Sequence, residues 1–195
     1  FVSRGLGDVY KRQVVNDPAV ELVSICTPND THAEISIAAL AAGKHVWCEK
    51  PMSTSLADSQ AMTDAAAASS GQTIIGYNYT KNPAVTHARR LITSGAIGRV
   101  AAFFCRYDVD NEADGDRPWS WRMSRDQSGT GANGDVLSHV ISVAHYLTGS
   151  TIKRVVGDIA IVHGEREDPQ NKGSRKSVDN DDMVAALVQF KNGAV

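Results

Sequence analysis

One stretch of the chain places an acid and a base at helical spacing. Asp135, His139, Ser142 and Tyr146 recur at i, i+4, i+7 and i+11, which puts them on one stripe of a predicted helix. An aspartate one turn before a histidine can orient the imidazole and stabilise its charged form, as suits a general base near neutral pH. Spacing alone fits equally well a polar helix face in water, or a histidine satisfied by a neighbouring carboxylate.

A lysine at a strand end is the next candidate. Lys50 follows a predicted buried strand and precedes Pro51, so its backbone favours extended geometry at the edge of the sheet where ligands bind. There its ammonium group can donate a hydrogen bond to a substrate hydroxyl or a cofactor amide. The alternative from local sequence is an exposed loop lysine.

Aromatic and cationic side chains precede the acid–base helix. Trp119, Trp121 and Arg122 lie in a polar connection, where the indole faces can pack against a ring and the guanidinium can bind oxygen atoms. Surface packing of a long loop explains the same residues.

The residue types that bind metals show no metal pattern. A zinc site needs three or four converging ligands, and the histidines lack zinc-type spacing, so no metal is predicted. Each cysteine lies inside an apolar run, and we expect buried, reduced thiols. The residues concerned are His32, His87, His139 and His145 with Cys26, Cys48 and Cys105.

Alternating strands and helices must position the first candidates. Apolar runs at Leu22–Cys26, His45–Cys48 and Thr73–Tyr77 predict strands with helices between them, which indicates β-α-β units on a parallel sheet. Ligands are expected where the carboxyl ends of such strands open into loops. The capping patterns that open the two helices are Thr31 with Glu34 and Ser55 with Asp58.

The pattern changes after Tyr77 and predicts an α+β region with a largely antiparallel open sheet. Residues 164–177 are polar and predict a loop or a long hairpin tip. Helices are expected at about Asn82–Ser94 and Asn133–Thr148, and strands near Arg99–Val109, Lys153–His163 and Asp182–Phe190.

The composition argues against a nucleic-acid partner, a membrane span and secretion. The formal net charge is −2 and the isoelectric point is near 6.3, so no basic surplus favours nucleic acid. No apolar run approaches the roughly 20 residues that cross a bilayer, and no secretion leader is evident. We therefore expect no nucleic-acid or membrane partner and a cytoplasmic location.

Five motifs in order resemble the glucose-fructose oxidoreductase, inositol dehydrogenase and MocA (Gfo/Idh/MocA) family. The likeness covers about residues 14–195 and implies an N-terminal Rossmann domain and a C-terminal α/β domain that commonly forms dimers or tetramers. The motifs are CTPNDTH (26–32), CEKP (48–51), GYNYTKNP (76–83), PWSWR (118–122) and GDVLSH (134–139).

The resemblance implies an NAD- or NADP-dependent oxidoreductase of a sugar or polyol. Lys50, Asp135 and His139 fall on the family's catalytic positions: His139 takes the proton of a substrate hydroxyl, Lys50 hydrogen-bonds that oxygen and Asp135 holds the base. The positions implied near the cofactor or substrate are Thr27, Pro28, Asn29, His32, Glu49, Lys50, Pro51, Asn78, Trp121 and Arg122.

Departures from the family pattern affect substrate and cofactor choice. Leu137, Ser142 and Lys81 differ from the residues usual at their positions, which leaves the substrate open. The glycine loop of the first β-α-β unit, which binds pyrophosphate, is not found, so the choice between NAD and NADP is open too.

The expected organisation has three parts. Residues 1–13 are predicted to be a non-native leader, residues 14–77 the C-terminal part of a Rossmann domain, and residues 78–195 a truncated substrate and oligomerisation domain. On this interpretation the chain by itself is inactive or binds dinucleotide weakly.

Two other functions remain open on the same scaffold. A lyase or glycosidase that recycles bound NAD would show no net change in cofactor absorbance during turnover. A non-enzymatic dinucleotide-sensing regulator would bind cofactor without turnover, because fold alone does not fix function.

Overall fold

The computed structural model describes residues 11–110 and 112–195, which divide into two compact units. The first unit contains the described residues up to Gly76 together with Asp126–Gly129, and the second contains Tyr77–Arg125 and Thr130–Val195. Most of the predicted leader, residues 1–13, lies outside the described residues. Residues 11–16 are helical, so regular structure begins inside the stretch assigned to that leader.

The first unit is a three-stranded parallel sheet with helical connections, as predicted. The strand order is β1-β2-β3, and Val23 pairs with Val46 while Trp47 pairs with Ile74. Its elements are β1 (Leu22–Ile25), α1 (His32–Ala41), β2 (His45–Cys48), α2 (Leu56–Ala68) and β3 (Thr73–Ile75).

Alternation along the strands decides which side chains form the core of this unit. Val23 and Ile25 of β1 are buried, whereas Leu22 is exposed, because successive side chains point to opposite faces. The buried side chains pack with Ile35 and Leu40 of α1 in one apolar cluster. The helices therefore cover one face of the sheet and fix the loops at the carboxyl ends of the strands.

Of the two predicted helix caps, the one at Ser55 is confirmed and the one at Thr31 is not. Ser55 caps α2: its hydroxyl accepts a 3.0 Å hydrogen bond from the Asp58 N–H and donates one of 2.7 Å to the Asp58 carboxylate. The cap predicted at Thr31 is wrong. A 3₁₀ turn at Asn29–Thr31 precedes α1, and the Thr31 hydroxyl turns back to the Thr27 hydroxyl and the Pro28 carbonyl.

The second unit combines helices with two antiparallel strand pairs. β4 pairs with β7, and β5 pairs with β6 as the hairpin that residues 164–177 predicted. Its elements are 3₁₀ turns at Asn78–Lys81 and Trp121–Met123, α3 (Pro83–Thr93), a short α4 (Arg125–Ser128), a π-helical turn at Asn133–Leu137, α5 (Ser138–Thr148), β4 (Ile152–Ala160), β5 (Glu165–Glu167), β6 (Arg175–Ser177) and β7 (Met183–Phe190).

The strand predicted near Arg99–Val109 is wrong. The segment forms no ladder within the described residues. It makes two backbone hydrogen bonds with Val195: Phe103 donates to the Val195 carbonyl at 2.8 Å, and Val195 donates to the Ala101 carbonyl at 3.1 Å. β-propensity predicts an extended segment, but a strand also needs a partner of matching length.

Candidate active site

Two loops open side by side at the carboxyl edge of the parallel sheet. Residues 27–29 follow β1 and residues 49–51 follow β2, and the last pair in the register of these strands is Ile25 with Cys48. The structure therefore brings six of the predicted cofactor-binding residues to one edge of the first unit. They are Thr27, Pro28, Asn29, Glu49, Lys50 and Pro51.

His32 joins these loops from the start of α1. The residue is fully buried, its Nδ1 lies 2.9 Å from the Pro51 carbonyl oxygen, and its Nε2 lies 2.9 Å from the Thr27 carbonyl oxygen. Both ring nitrogens thus lie against protein backbone, and His32 connects the two loops. The predicted position of His32 beside the cofactor stays a prediction.

The loop after β1 is held further by its own side chains. The Thr31 hydroxyl lies 2.6 Å from the Thr27 hydroxyl and 2.8 Å from the Pro28 carbonyl oxygen, so it ties both residues to the start of α1. Asn29 Nδ2 donates to the Ser128 carbonyl at 2.9 Å, across 99 residues of sequence. Sequence patterns missed Ser128, because a backbone acceptor leaves no mark in residue type.

The loop after β2 is anchored through Glu49. Its N–H donates to the Ile25 carbonyl at 2.9 Å, and its carboxylate folds against Gly76, where a Cβ would come 2.9 Å from Oε1. Lys50 is half-buried beside it and is joined to Pro51 by a cis peptide bond. These contacts place the Lys50 backbone at the sheet edge, as its position before proline predicted.

In the second unit, two tyrosines enclose His139. The imidazole is 8 % exposed. Tyr79 stacks on it with ring centroids 4.2 Å apart and planes 21° from parallel, and Tyr77 meets it edge-on at 5.8 Å and 89°. The phenolic oxygens of Tyr79 and Tyr107 lie 2.5 Å apart. Of these residues, sequence analysis named only His139, because contacts between rings distant in sequence carry no periodic pattern.

Burial also affects the chemistry of Tyr77. Desolvation raises the pKa of its phenol above the ordinary value of 10.0, and a hydrogen bond from Ser138 opposes that shift. Tyr77 is thus a neutral phenol at physiological pH. The ring that meets His139 edge-on therefore carries no charge.

The acid–base segment begins with a π-helical turn. Asp135 lies within Asn133–Leu137 and is exposed, whereas His139 is in α5 and is buried. A π turn bonds i to i+5 rather than i to i+4. The single α-helix predicted at Asn133–Thr148 is therefore corrected to a π turn followed by α5.

Asp181 fixes the beginning of this helical segment. Its carboxylate accepts hydrogen bonds from the backbone N–H groups of Gly131 at 2.9 Å and Asn133 at 2.6 Å, and its carbonyl accepts from Ala132 at 2.8 Å. The carboxylate thereby satisfies N–H groups that a helix start leaves unpaired. Gly131 is required here, since a Cβ would lie 1.9 Å from the Asp181 carbonyl oxygen.

The tryptophan segment is held by backbone acceptors of the second unit. Trp119 Nε1 donates to the Ser177 carbonyl at 3.0 Å, and the Lys176 ammonium lies 3.3 Å from the Trp119 ring centroid. Arg122 is exposed and its guanidinium lies 4.6 Å from the Trp121 ring centroid. Trp119 is thus a structural residue, while the stacked pair Trp121–Arg122 presents a planar polar surface.

Asn78 has an exposed side chain between Tyr77 and Tyr79. No side-chain hydrogen bond of Asn78 is found among residues 11–110 and 112–195. Its amide is therefore free to contact a ligand, the role that the family resemblance implies.

The three thiols differ in exposure. Cys48 is buried, but Cys26 and Cys105 are exposed, so the expectation of three buried thiols is wrong for two of them. Burial raises the pKa of Cys48 to about 11. All three are free thiols.

The described residues contain neither a candidate metal-binding cluster nor a candidate membrane-spanning helix. That part of the chain holds no group of three or more His, Cys, Asp or Glu arranged to bind a metal ion. None of its helices combines the length and the apolar character of a membrane span.

Both halves of the chain match models of one oxidoreductase family. Residues 8–77 match the model described as oxidoreductase family, NAD-binding Rossmann fold, and residues 85–195 match the model described as Gfo/Idh/MocA C-terminal domain.

Characterised sugar dehydrogenases are among the similar proteins. The levoglucosan dehydrogenase of Pseudarthrobacter phenanthrenivorans is 38% identical over 94% of this chain and 50% of its own length. The myo-inositol 2-dehydrogenase of Thermotoga maritima is 28% identical over 98% of this chain and 53% of its own. The chain thus spans about half the length of these relatives.

Solved structures agree with the sequence matches. A levoglucosan dehydrogenase in complex with NADH and levoglucosan has a TM-score of 0.88 and 42% identity, covering 94% of this chain and 48% of that one. An oxidoreductase domain protein from Kribbella flavida has a TM-score of 0.89 and 39% identity, covering 94% of this chain and 49% of that one.

Proposed function

The chain belongs to the Gfo/Idh/MocA oxidoreductase family, and from that premise we propose that its protein is an NAD-dependent dehydrogenase of a sugar or polyol hydroxyl. The observation that carries the proposal is the similarity to a levoglucosan dehydrogenase that was solved with NADH and levoglucosan. This likeness covers 94% of the chain. The two family models span residues 8–77 and 85–195, which include the loops after β1 and β2 and the helix of His139.

The loops after β1 and β2 offer suitable groups for a dinucleotide. The Thr27 hydroxyl can donate, the Glu49 carboxylate can accept from ribose hydroxyls, and the Lys50 ammonium can donate to an amide or hydroxyl oxygen. Dinucleotides bind at this edge of doubly wound sheets. We propose NAD rather than NADP, because the similar structures contain NADH.

When bound at these loops, the nicotinamide would supply the redox chemistry, as the acceptor of the hydride from the carbon that carries the hydroxyl. We assign the accompanying proton transfer to His139, a ring nitrogen of which takes the hydroxyl proton. The stacked ring of Tyr79 keeps the imidazole in one orientation. Asp135 is proposed to favour the charged imidazolium that this transfer creates.

Lys50 is proposed to donate a hydrogen bond to the oxygen that loses its proton. An ammonium donor stabilises negative charge as it develops on that oxygen, and charge-assisted hydrogen bonds are the stronger kind. In the second unit, Asn78, Trp121 and Arg122 are proposed to contact the nicotinamide or the substrate. The exposed amide and the stacked guanidinium support this assignment.

Assembly of the second unit is part of the same proposal. Apolar side chains of β4 and β7 are exposed, among them Val156 at 67% and Leu187 at 65%. An open sheet of this kind supports a homodimer or homotetramer, because exposed apolar patches mark association surfaces. Light scattering on the purified protein measures its oligomeric state.

A substrate panel tests the proposed reaction. The longest reading frame that encodes this chain is expressed, and reduced nicotinamide is followed by absorbance with levoglucosan, inositols and aldoses. We expect NAD reduction with at least one compound and test the anhydrosugar first, given the levoglucosan dehydrogenase relatives. Turnover without a net absorbance change would favour a cofactor-recycling lyase, and cofactor binding without any turnover would favour a regulator.

A further inference from the structure

His32 is a fully buried titratable residue to which the proposed chemistry gives no role. Its two ring nitrogens lie 2.9 Å from two backbone carbonyl oxygens, those of Thr27 and Pro51. These carbonyls belong to the loops that follow β1 and β2, so a single side chain bonds both loops.

The shape of the histidine ring suits this position. The two ring nitrogens point in different directions from one compact group, and a carbonyl oxygen accepts hydrogen bonds. One ring nitrogen lies against each of the two carbonyl oxygens, so the ring spans the two loops.

We propose that His32 is a positioning residue that sets the spacing of the two loops and thereby the affinity for the dinucleotide. The Pro51 carbonyl is one residue beyond Lys50, and the Thr27 carbonyl is two residues before Asn29. Fixing both carbonyls therefore fixes the backbone from which the predicted cofactor contacts project. This inference rests on the proposed function, because it assumes that the loops bind NAD.

Loss of the contacts between His32 and the two loops is expected to weaken NADH binding more than it raises the KM for the sugar. In His32→Ala the two carbonyls lose their contacts with the ring and the loops can separate, so we expect the Kd for NADH to rise about 10-fold or more. The KM for the sugar, measured at saturating NAD, is expected to change little. Fluorescence titration with NADH and steady-state kinetics on the full-length protein measure the two effects.

Chemical rescue distinguishes positioning from general stability. The alanine variant leaves a space the size of the ring, and added imidazole is expected to restore NADH affinity to His32→Ala. The matched control is His87→Ala, which removes an exposed histidine and is expected to bind NADH normally with or without imidazole.

Isotope labelling keeps the test independent of whether the variant folds. In unmutated protein with labelled histidine, the ring of His32 is expected to show an N–H that exchanges slowly with water, because the ring is buried against two carbonyl oxygens. A rapidly exchanging ring N–H, or an unchanged NADH Kd in folded His32→Ala, would overturn the proposal. If the unmutated protein itself fails to bind NADH, the proposed function fails instead.

Discussion

The ring of Tyr79 lies flat against the imidazole of His139, with ring centroids 4.2 Å apart. Tyr79 is in turn positioned by its phenolic oxygen, which lies 2.5 Å from that of Tyr107. A general base must keep one ring nitrogen directed at the proton that it receives. Stacking on Tyr79 restrains rotation of the His139 imidazole and so keeps that nitrogen in place.

Tyr79→Leu is expected to lower kcat about 3- to 10-fold with little change in the KM for the sugar, since aromatic pairs contribute roughly 0.5–1.5 kcal/mol beyond area burial. Tyr79→Phe keeps the stacked ring and loses only the contact with Tyr107, so it should retain most of kcat. Steady-state kinetics on the three proteins checks this. Equal loss in both variants would show that the hydroxyl, not the stack, matters.

Asp181→Ala is expected to lower the free energy of unfolding by about 1–3 kcal/mol, because it removes two buried hydrogen bonds at the start of a helical segment. Asp181→Asn should cost less, since the amide oxygen still accepts. Denaturant melts of the two variants measure the loss. Asp110→Ala, at an exposed aspartate, is the control and should leave stability unchanged within about 0.5 kcal/mol.

Gly131→Ala is expected to lower the melting temperature more than the same substitution at a glycine with open space around it. Its Cβ would lie 1.9 Å from a backbone oxygen of Asp181, so one backbone segment must move. Gly164→Ala, whose Cβ would meet nothing within 4 Å, is the matched control. A lower melting temperature for Gly131→Ala alone is the expected result, and equal melting of the two variants would refute the close approach.

Alkylation of the folded protein should distinguish its cysteines. Burial raises the pKa of Cys48 to about 11, a hydrogen bond from Ser36 opposes the shift, and the charges of Glu49 and Cys26 add to it. At pH 8 only about one Cys48 thiol in a thousand is then the reactive thiolate, and the fraction grows as the pH rises toward 11. Iodoacetamide at pH 8 with peptide mass mapping should label Cys26 and Cys105 but spare Cys48. Labelling of Cys48 as fast as Cys26 would contradict this assignment.

The parallel sheet of the first unit could be predicted because its signals are local. The short apolar runs and the serine cap at Ser55 lie within a few residues of the features that they determine. The strand expected near residues 99–109 and the single helix from Asn133 failed for the opposite reason. Ladder partners and helical register depend on residues far away in sequence.

The site residues also divide into those with a local sequence signal and those whose role depends on distant residues. Motif positions such as Lys50 and His139 could be named from sequence, and the structure places them at a strand end and on a helix as expected. The contacts of His32 with the two loops and the packing of Tyr77 and Tyr79 around His139 could not be predicted from sequence. Their partners are backbone carbonyls or rings on other segments, which neither spacing nor residue type reveals.

In the proposed reaction His139 takes the substrate proton during NAD reduction. The most direct measurement is kcat for NAD reduction by full-length protein with its best sugar, compared with His139→Ala and with His145→Ala, an exposed histidine of the same helix. We predict that His139→Ala lowers kcat by about 10²-fold or more while NADH still binds, and that His145→Ala is normal. His139→Ala turning over at the unmutated rate would contradict the account.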